Sequence, residues 1–220
     1  MTISVVVLGA SGAVGSEVVA ALQAMPEISS ITVLLRRPFE FASADKIETH
    51  LVDVMRPESY APFLKGHQAA ICTLGVGQPT KVSPQEFLAV DFNAVLAFAG
   101  ACNETGVQHF ELLGSVASDP SSRSFYLKSK GALRDAIAGL GFQRFSCFQP
   151  SMLLTQNNRY GFSQGLMLAL WPMFSKALIG GLDKYRGIKV SDLGAAMAHN
   201  LTTKNHGTEI LQWKDFQSLK

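Results

Sequence analysis

The chain opens with ISVVVLGASGAVG, from Ile3 to Gly15, and this stretch decides the fold. Apolar, mostly β-branched residues at positions 3–8 predict a buried strand, and the three glycines that follow predict a tight turn. The next residues favour a helix, which we expect to run to Met25 because Pro26 ends it. The stretch therefore predicts a strand, a glycine loop and a helix, in that order.

A glycine loop between a strand and a helix is suited to binding an anion. Glycines let the backbone approach a pyrophosphate closely, while the helix presents unpaired N–H groups and the positive end of its dipole. The spacing G-x-x-G-x-x-G differs from the widespread G-x-G-x-x-G, and a purely structural turn is the alternative. The flanking strand and helix favour a dinucleotide site.

Composition narrows the classes of function. A chain of 220 residues fits one domain, taken here as residues 1–220, and its net charge of +2 with no basic run indicates a small-molecule partner and no nucleic acid. The 3 cysteines lie in apolar runs, which indicates buried thiols in a reducing compartment, and the 5 histidines lack the spacing of a metal site. Because no signal peptide is recognisable at the start, we expect a cytoplasmic protein.

Strands and helices alternate as far as Pro150. We expect helices at 57–64 and 122–138, and a long one from the capping signature at Ser83 to about Asn103. The alternation predicts an α/β fold with a doubly wound parallel sheet and helices on both faces. The further strands expected are 31–35, 47–52, 69–73, 107–113, 142–148, 188–190 and 209–213, with a helix from Ser191.

The ends of these strands supply the rest of a dinucleotide site. Arg36 and Arg37 follow the second strand, where an acid would favour NAD, and arginines suit the 2′-phosphate of NADP unless they form only a solvated loop. Asp53 is placed either to bond the adenine amino group or to face solvent in a turn. The candidate cofactor-binding residues are Gly9, Ser11, Gly12, Ala13, Val14, Gly15, Arg36, Arg37, Asp53, Val54, Thr73, Leu74, Gly75, Lys130, Pro150 and Met152.

Ser115, Tyr126 and Lys130 are the candidate catalytic residues. Tyr126 and Lys130 lie one helical turn apart, so the lysine ammonium favours the phenolate and the phenol can pass a proton to a carbonyl. Ser115 follows the fifth strand and can hold that carbonyl oxygen, with Ser118 as a fallback. Lys130 is also expected to anchor the cofactor ribose. The alternative is an exposed helical tyrosine beside a lysine.

A second pair, Tyr185 and Lys189, has the same spacing. Gly187 lies between the two residues, and Gly180 and Gly181 lie just before them, so a rigid helix is not expected there. We therefore prefer Tyr126.

These residues resemble the short-chain dehydrogenase/reductases, in their extended or atypical branch and closest to the Tat-interacting-protein group. The resemblance implies a Rossmann domain that binds NADPH, with Ser115, Tyr126 and Lys130 at the family's catalytic positions. The chain departs from it at Gln149, where relatives carry arginine, and at Gly114, where they carry a second serine. The resemblance rests on the glycine loop, 34–37, 52–53, 66–67, 90–91, 108–113, 126–130 and Pro150.

The apolar stretch 162–174 is too short and interrupted to span a bilayer, so we expect no transmembrane segment. A lid over the substrate, a homodimer surface and a membrane-surface helix remain open for it; we favour a lid formed by 151–190, with Met152 and Leu153 lining an apolar pocket. The sequence thus predicts an NADPH-dependent reductase for the carbonyl of a small apolar substrate. A catalytically silent NADPH-binding sensor is the rival, and an epimerase is disfavoured by the short tail.

Overall fold

The protein forms a parallel sheet flanked by helices in the structure, a computed structural model that describes residues 2–43, 45–155, 178 and 180–219. The strands are β1 (Ile3–Leu8), β2 (Ile28–Leu35), β3 (Ile47–Leu51), β4 (Ala69–Cys72), β5 (His109–Leu113), β6 (Arg144–Phe148), β7 (Leu153–Leu154), β8 (Ile188–Lys189) and β9 (Gly207–Leu211). The α-helices are α1 (Ala13–Ala24), α2 (Pro84–Leu88), α3 (Val95–Glu104), α4 (Phe125–Ala138), α5 (Val190–Asn200) and α6 (Trp213–Ser218).

Seven strands form one sheet in the order β3-β2-β1-β4-β5-β6-β9, and every pairing in it is parallel. The order reverses between β1 and β4, because the chain builds outward in one direction from β1 and then crosses back. A reversal of this kind leaves a crevice at the carboxyl ends of the two strands, where ligands bind in such sheets. The doubly wound α/β fold predicted from the sequence is confirmed.

Two apolar layers hold the sheet between its helices. On one face α1 and α5 cover the sheet, with Val18, Leu193 and Phe216 among the fully buried side chains. On the other face α3 and α4 pack through a cluster that includes Phe98, Phe110 and Leu133. Strands covered on both faces need apolar residues throughout, which is why β1 and β4 are continuous apolar runs.

The long helix predicted from Ser83 is present but is not uniform. Ser83 caps it through a capping box with Glu86, as its sequence predicts. The chain then passes through α2, a π-helical segment Ala89–Ala94 and α3. A π segment adds one residue to a turn and is common at functional sites. Its position matters here because it carries Asp91.

Other differences from the sequence prediction are local. Residues 57–64 form two 3-10 turns, Pro57–Ser59 and Ala61–Phe63, because a second proline, Pro62, interrupts the helical pattern. The last strand of the large sheet starts earlier than expected and ends at Leu211, since Asp215 accepts a hydrogen bond from the Gln212 N–H and starts α6. That short helix was not predicted.

Candidate cofactor and active site

The glycine loop lies at the crevice, between the end of β1 and the start of α1. Gly9 has φ +92°, a left-handed conformation that favours glycine. A Cβ at Gly15 would collide with the Gly9 carbonyl oxygen, and one at Gly12 would lie 3.2 Å from the same atom. Each glycine therefore has a steric reason to be there.

The start of α1 is free of side-chain capping. Gly12 is the N-cap residue and has no side chain to offer, and the first turn carries no acidic residue. The first N–H groups of this 12-residue helix and the positive end of its dipole are thus directed toward the glycine loop. The cradle fits the pyrophosphate of a dinucleotide, which would supply the missing acceptors and negative charge.

Thr73 supports the glycine loop through two hydrogen bonds. Its hydroxyl donates to the Gly9 carbonyl oxygen at 3.1 Å, and its backbone N–H donates to the Leu8 carbonyl oxygen at 2.8 Å. A Cβ on Gly9 would lie 2.6 Å from the Leu74 nitrogen. Thr73 and Leu74 therefore support the glycine loop, whereas Gly75 is exposed beside it.

The residues expected to bind the adenine half follow β2 and β3. Arg36 and Arg37 are exposed directly after β2, and Val54 is buried after β3. Asp53 is exposed, and its Oδ1 accepts a hydrogen bond from the Met55 N–H at 3.0 Å. One carboxylate oxygen of Asp53 thus stabilises the turn that contains it, as expected for the alternative of a turn residue that faces solvent.

Ser115 and Pro150 meet at the carboxyl ends of β5 and β6. The Val116 N–H donates to the Pro150 carbonyl oxygen at 2.9 Å. Ser115 is half-buried, and its hydroxyl makes only a long 3.4 Å contact with the Val116 carbonyl oxygen. Ser115 therefore retains a hydroxyl that can turn toward a ligand.

Ser118 does not have this freedom. It is buried, and its hydroxyl accepts a hydrogen bond from Gln149 Nε2 at 2.9 Å. Gln149 is 3 % exposed, so this hydrogen bond lies inside the protein. Ser115 is therefore the better catalytic candidate.

Tyr126 and Lys130 lie on α4, the helix that follows β5. Tyr126 is half-buried, and its ring contacts Phe87 of α2 at 5.7 Å between centroids. Ser124 caps α4 and places Tyr126 in its first turn. The other pair with this spacing is not on a helix, since Tyr185 ends a 3-10 segment and Lys189 lies in β8. The preference for Tyr126 is consistent with this geometry.

Lys130 is buried, with a side chain 8 % exposed. Its Nζ donates to Asp91 Oδ1 at 2.9 Å and lies 5.9 Å from the centre of the Phe87 ring. Asp91 was not among the predicted site residues. The signal that could have found it is the Val90-Asp91 pair in the resemblance to the family, but a contact between residues 39 positions apart is not visible in a local pattern.

Part of the predicted lid lies outside the described residues. Phe162 and the rest of 156–177 belong to that part. Met152 is half-buried, and its carbonyl oxygen accepts from the Ile188 N–H at 2.9 Å beside the pairing of β7 with β8. Among the described residues, no helix has the length and apolar character needed to cross a bilayer.

Comparisons with known proteins identify the family of this chain. A family model described as NAD(P)H-binding matches residues 9–141. Protein HTATIP2 of Rattus norvegicus is 34% identical over 153 residues, which cover 69% of this chain and 63% of that protein. Protein FMP52, mitochondrial, of Candida albicans is 28% identical over 197 residues, covering 87% of this chain and 84% of that protein.

Solved structures share the fold. MoeE5 in complex with UDP-glucuronic acid and NAD has a TM-score of 0.73 at 18% identity, covering 94% of this chain and 75% of that chain. The oxidoreductase ylbE of Lactococcus lactis has a TM-score of 0.69 at 16% identity, covering 99% of this chain and 96% of that chain.

The relatives correct one expectation. Several of them are FMP52 proteins named as mitochondrial, so the cytoplasmic assignment is wrong. The expectation rested on the lack of a recognisable secretory signal peptide, and mitochondrial proteins do not need one, so this lack does not single out the cytoplasm.

Proposed function

Because this chain belongs to the NAD(P)H-binding family and is an atypical short-chain dehydrogenase/reductase related to the Tat-interacting-protein group, we propose that it is an NADPH-dependent reductase. Its substrate is the carbonyl group of a small apolar molecule. One observation carries the proposal. A buried lysine ammonium lies one helical turn after Tyr126, on the helix that follows β5, next to the crevice that holds the glycine loop.

The proposed roles follow from the chemistry of each group. When bound, the nicotinamide supplies the hydride. Ser115 donates a hydrogen bond to the carbonyl oxygen and holds it, and Tyr126 transfers its phenolic proton to that oxygen, so that the product is an alcohol. Lys130 stabilises the phenolate left on Tyr126 until solvent returns the proton. The half-buried position of Tyr126 beside Phe87 supports an apolar substrate.

NADPH is proposed over NADH because of the charge after β2. Arg36 and Arg37 are exposed there, and the next acidic residue, Glu40, lies three positions beyond Arg37. Guanidinium groups bind phosphate with two parallel hydrogen bonds, whereas the ribose hydroxyls of NAD are usually held by a carboxylate. The lid of residues 151–190 stays part of this proposal.

The proposal is tested with the purified protein in two steps. Calorimetric titrations with NADPH and with NADH should show that NADPH binds more tightly. Oxidation of NADPH is then measured against a panel of aldehydes, ketones and quinones, and at least one apolar carbonyl compound should be reduced. Binding of NADPH without turnover of any compound would instead favour the silent sensor.

A further inference from the structure

Asp91 lies at a junction of three parts of the site. It is 4 % exposed and belongs to the π segment Ala89–Ala94. Its Oδ1 accepts from Lys130 Nζ of α4 at 2.9 Å, and its Oδ2 accepts from the Val76 N–H, in the loop after β4, at 2.8 Å. Both carboxylate oxygens of Asp91 therefore accept a hydrogen bond, one from α4 and one from the loop after β4.

The loop after β4 is shaped around this carboxylate. A Cβ added to Gly75 would lie 3.0 Å from Asp91 Oδ1, closer than nearly all real contacts of such atoms. Glycine at this position lets the backbone reach the carboxylate, so that the Val76 N–H can donate to it. The loop after β4, which contains the candidate cofactor-binding residue Gly75, is thus fixed to Asp91.

The charge of Lys130 has one counterion among the described residues, and it is Asp91. The Phe87 ring lies 5.9 Å from the ammonium, and the nearby thiol of Cys72 is buried, which raises its pKa to about 12. A buried ammonium without a partner is strongly unfavourable. The lysine side chain is therefore held where the carboxylate is.

We infer that Asp91 is a positioning residue, whose carboxylate holds the Lys130 ammonium against the loop after β4 and so fixes it for the cofactor ribose and the Tyr126 phenol. The roles of Lys130 toward the ribose and the phenol rest on the proposed function. The hold of Asp91 on Lys130 and on the loop after β4 does not. The pair is net neutral, so the site offers the cofactor an oriented donor without an excess positive charge.

The test compares the full-length protein with Asp91→Asn, which keeps the shape and an acceptor for the Val76 N–H but removes the charge. Asn93→Ala is the matched control, because Asn93 is exposed in the same π segment. Each protein is treated with acetic anhydride without cofactor, and modification of Lys130 is measured by mass spectrometry relative to the exposed Lys128 on the same helix. In Asp91→Asn, Lys130 should react about tenfold faster than in the wild-type protein, and in Asn93→Ala at the wild-type rate.

Equal protection of Lys130 in wild type and Asp91→Asn overturns the inference. If Asp91→Asn does not fold, the double variant Asp91→Asn/Lys130→Met removes both charges. Recovery of folding in the double variant shows that Asp91 serves the lysine charge, whereas failure to recover shows a role in the loop alone and overturns the inference.

Calorimetry with NADPH adds a functional readout. Asp91→Asn should bind NADPH about tenfold more weakly than the wild-type protein, while Asn93→Ala binds normally. Undiminished binding by an Asp91→Asn protein whose Lys130 has been released overturns the role toward the cofactor. If the wild-type protein does not bind NADPH, the proposed function fails, and the acetylation result decides the inference independently.

Discussion

Tyr126 is the one side chain whose chemistry no neighbour can replace in the proposed reaction. It is half-buried and packs on Phe87, and the described part of the site offers no other phenol on α4. A serine hydroxyl such as that of Ser115 can hold a carbonyl oxygen but is a far weaker acid than a phenol.

Tyr126→Phe removes the proton donor and keeps the ring. We expect kcat to fall by about 10²–10⁴-fold on any substrate found, the contribution typical of a general acid, with NADPH affinity nearly unchanged. The measurement is steady-state NADPH oxidation together with calorimetry. Tyr185→Phe is the control, because Tyr185 has the same spacing to a lysine but ends a 3-10 segment. Full activity of Tyr126→Phe would show that another group supplies the proton.

Arg36 and Arg37 decide the choice of cofactor if they bind the 2′-phosphate. Replacing both by alanine should weaken NADPH binding by about 100-fold or more and leave NADH binding within about twofold, since each lost charge-assisted hydrogen bond contributes about 1.5–3 kcal/mol. Arg123→Ala, which removes an exposed arginine from another loop, is the matched control. An equal loss for both cofactors would mean that the two arginines act on binding in general.

At this scale the sequence reveals chemistry but not long-range contacts. The spacing of Tyr126 and Lys130 and the arginines after β2 are local patterns, and the structure places them at the crevice side of the sheet. The Asp91–Lys130 ion pair joins two helices and depends on how they pack. The hydrogen bond from Gln149 to the Ser118 hydroxyl also joins residues far apart in the sequence, so it too was not visible in a local pattern.

The turn from β1 into α1 is the element with the least tolerance for change. Its backbone folds back so closely that a Cβ on Gly15 meets the Gly9 carbonyl oxygen. Thr73 holds that same carbonyl from the other side. The Gly9 carbonyl oxygen is therefore held by the Thr73 hydroxyl, and a Cβ on Gly15 would have to displace it.

Gly15→Ala should therefore weaken both the fold and cofactor binding. We expect a loss of about 1–3 kcal/mol in unfolding free energy from overpacking, and a loss of NADPH affinity because the first turn of α1 shifts. Gly100→Ala is the control, since Gly100 lies in α3 with no atom within 4 Å of an added Cβ. Thermal unfolding and NADPH titration are the measurements. A Gly15→Ala protein as stable as wild type would contradict the close packing of this turn.

Elements with strong periodicity or clear caps were predictable, and irregular ones were not. The apolar run of β1 and the capping box at Ser83 are local signals that the structure confirms. The π segment Ala89–Ala94 was not predicted, because one extra residue in a helical turn leaves no simple signature in the sequence. Helix α6 was missed because Gln212 is an uncommon N-cap residue.

At the scale of the whole molecule, a buried polar network joins β5, β6, β9 and α5. Arg144 donates to Glu209 at 2.8 Å, and Asn200 donates to Glu111 at 2.8 Å. His109 and Ser146 are 2.8 Å apart within it. Glu111 is fully buried, and its Oε2 has no hydrogen-bond partner among the described residues. The network fixes α5 over the sheet, with Glu111 as its least satisfied member.

This network predicts how stability changes with pH. Burial raises the pKa of the Glu111 carboxyl well above its ordinary value of 4.5, so the folded protein keeps a proton that the unfolded chain releases. The contribution of Glu111 to the free energy of unfolding is therefore fully present below pH 4.5 and falls as pH rises from there through the raised pKa. His109 acts in the opposite direction: burial lowers its pKa to about 3, so its contribution is lost as pH falls from 6.5 to 3.

Glu111→Gln removes the ionisable group and keeps an acceptor for Asn200. At pH 7 it should raise the thermal midpoint by about 2–8 °C, and the gain should disappear below pH 4, where Glu111 is protonated in both states. Glu104→Gln, a change at an exposed carboxylate on α3, is the control. Calorimetric unfolding across pH 4 to 8 measures the difference. A gain that is independent of pH would show that ionisation of Glu111 is not its cause.

The global architecture was the most predictable level of all. Alternating strands and helices with short connections and right-handed crossovers leave only a handful of topologies. The parallel addition of β9 beside β6 was not foreseen, because it depends on Glu209 reaching Arg144 and Ser146 across the edge of the sheet.

β7 and β8 bring two distant points of the chain side by side, with Leu153 opposite Ile188. The pairing therefore anchors both ends of the intervening segment at one place. A change in the length of that segment should cost the fold little free energy, since the entropy of closing a loop grows only slowly with its length.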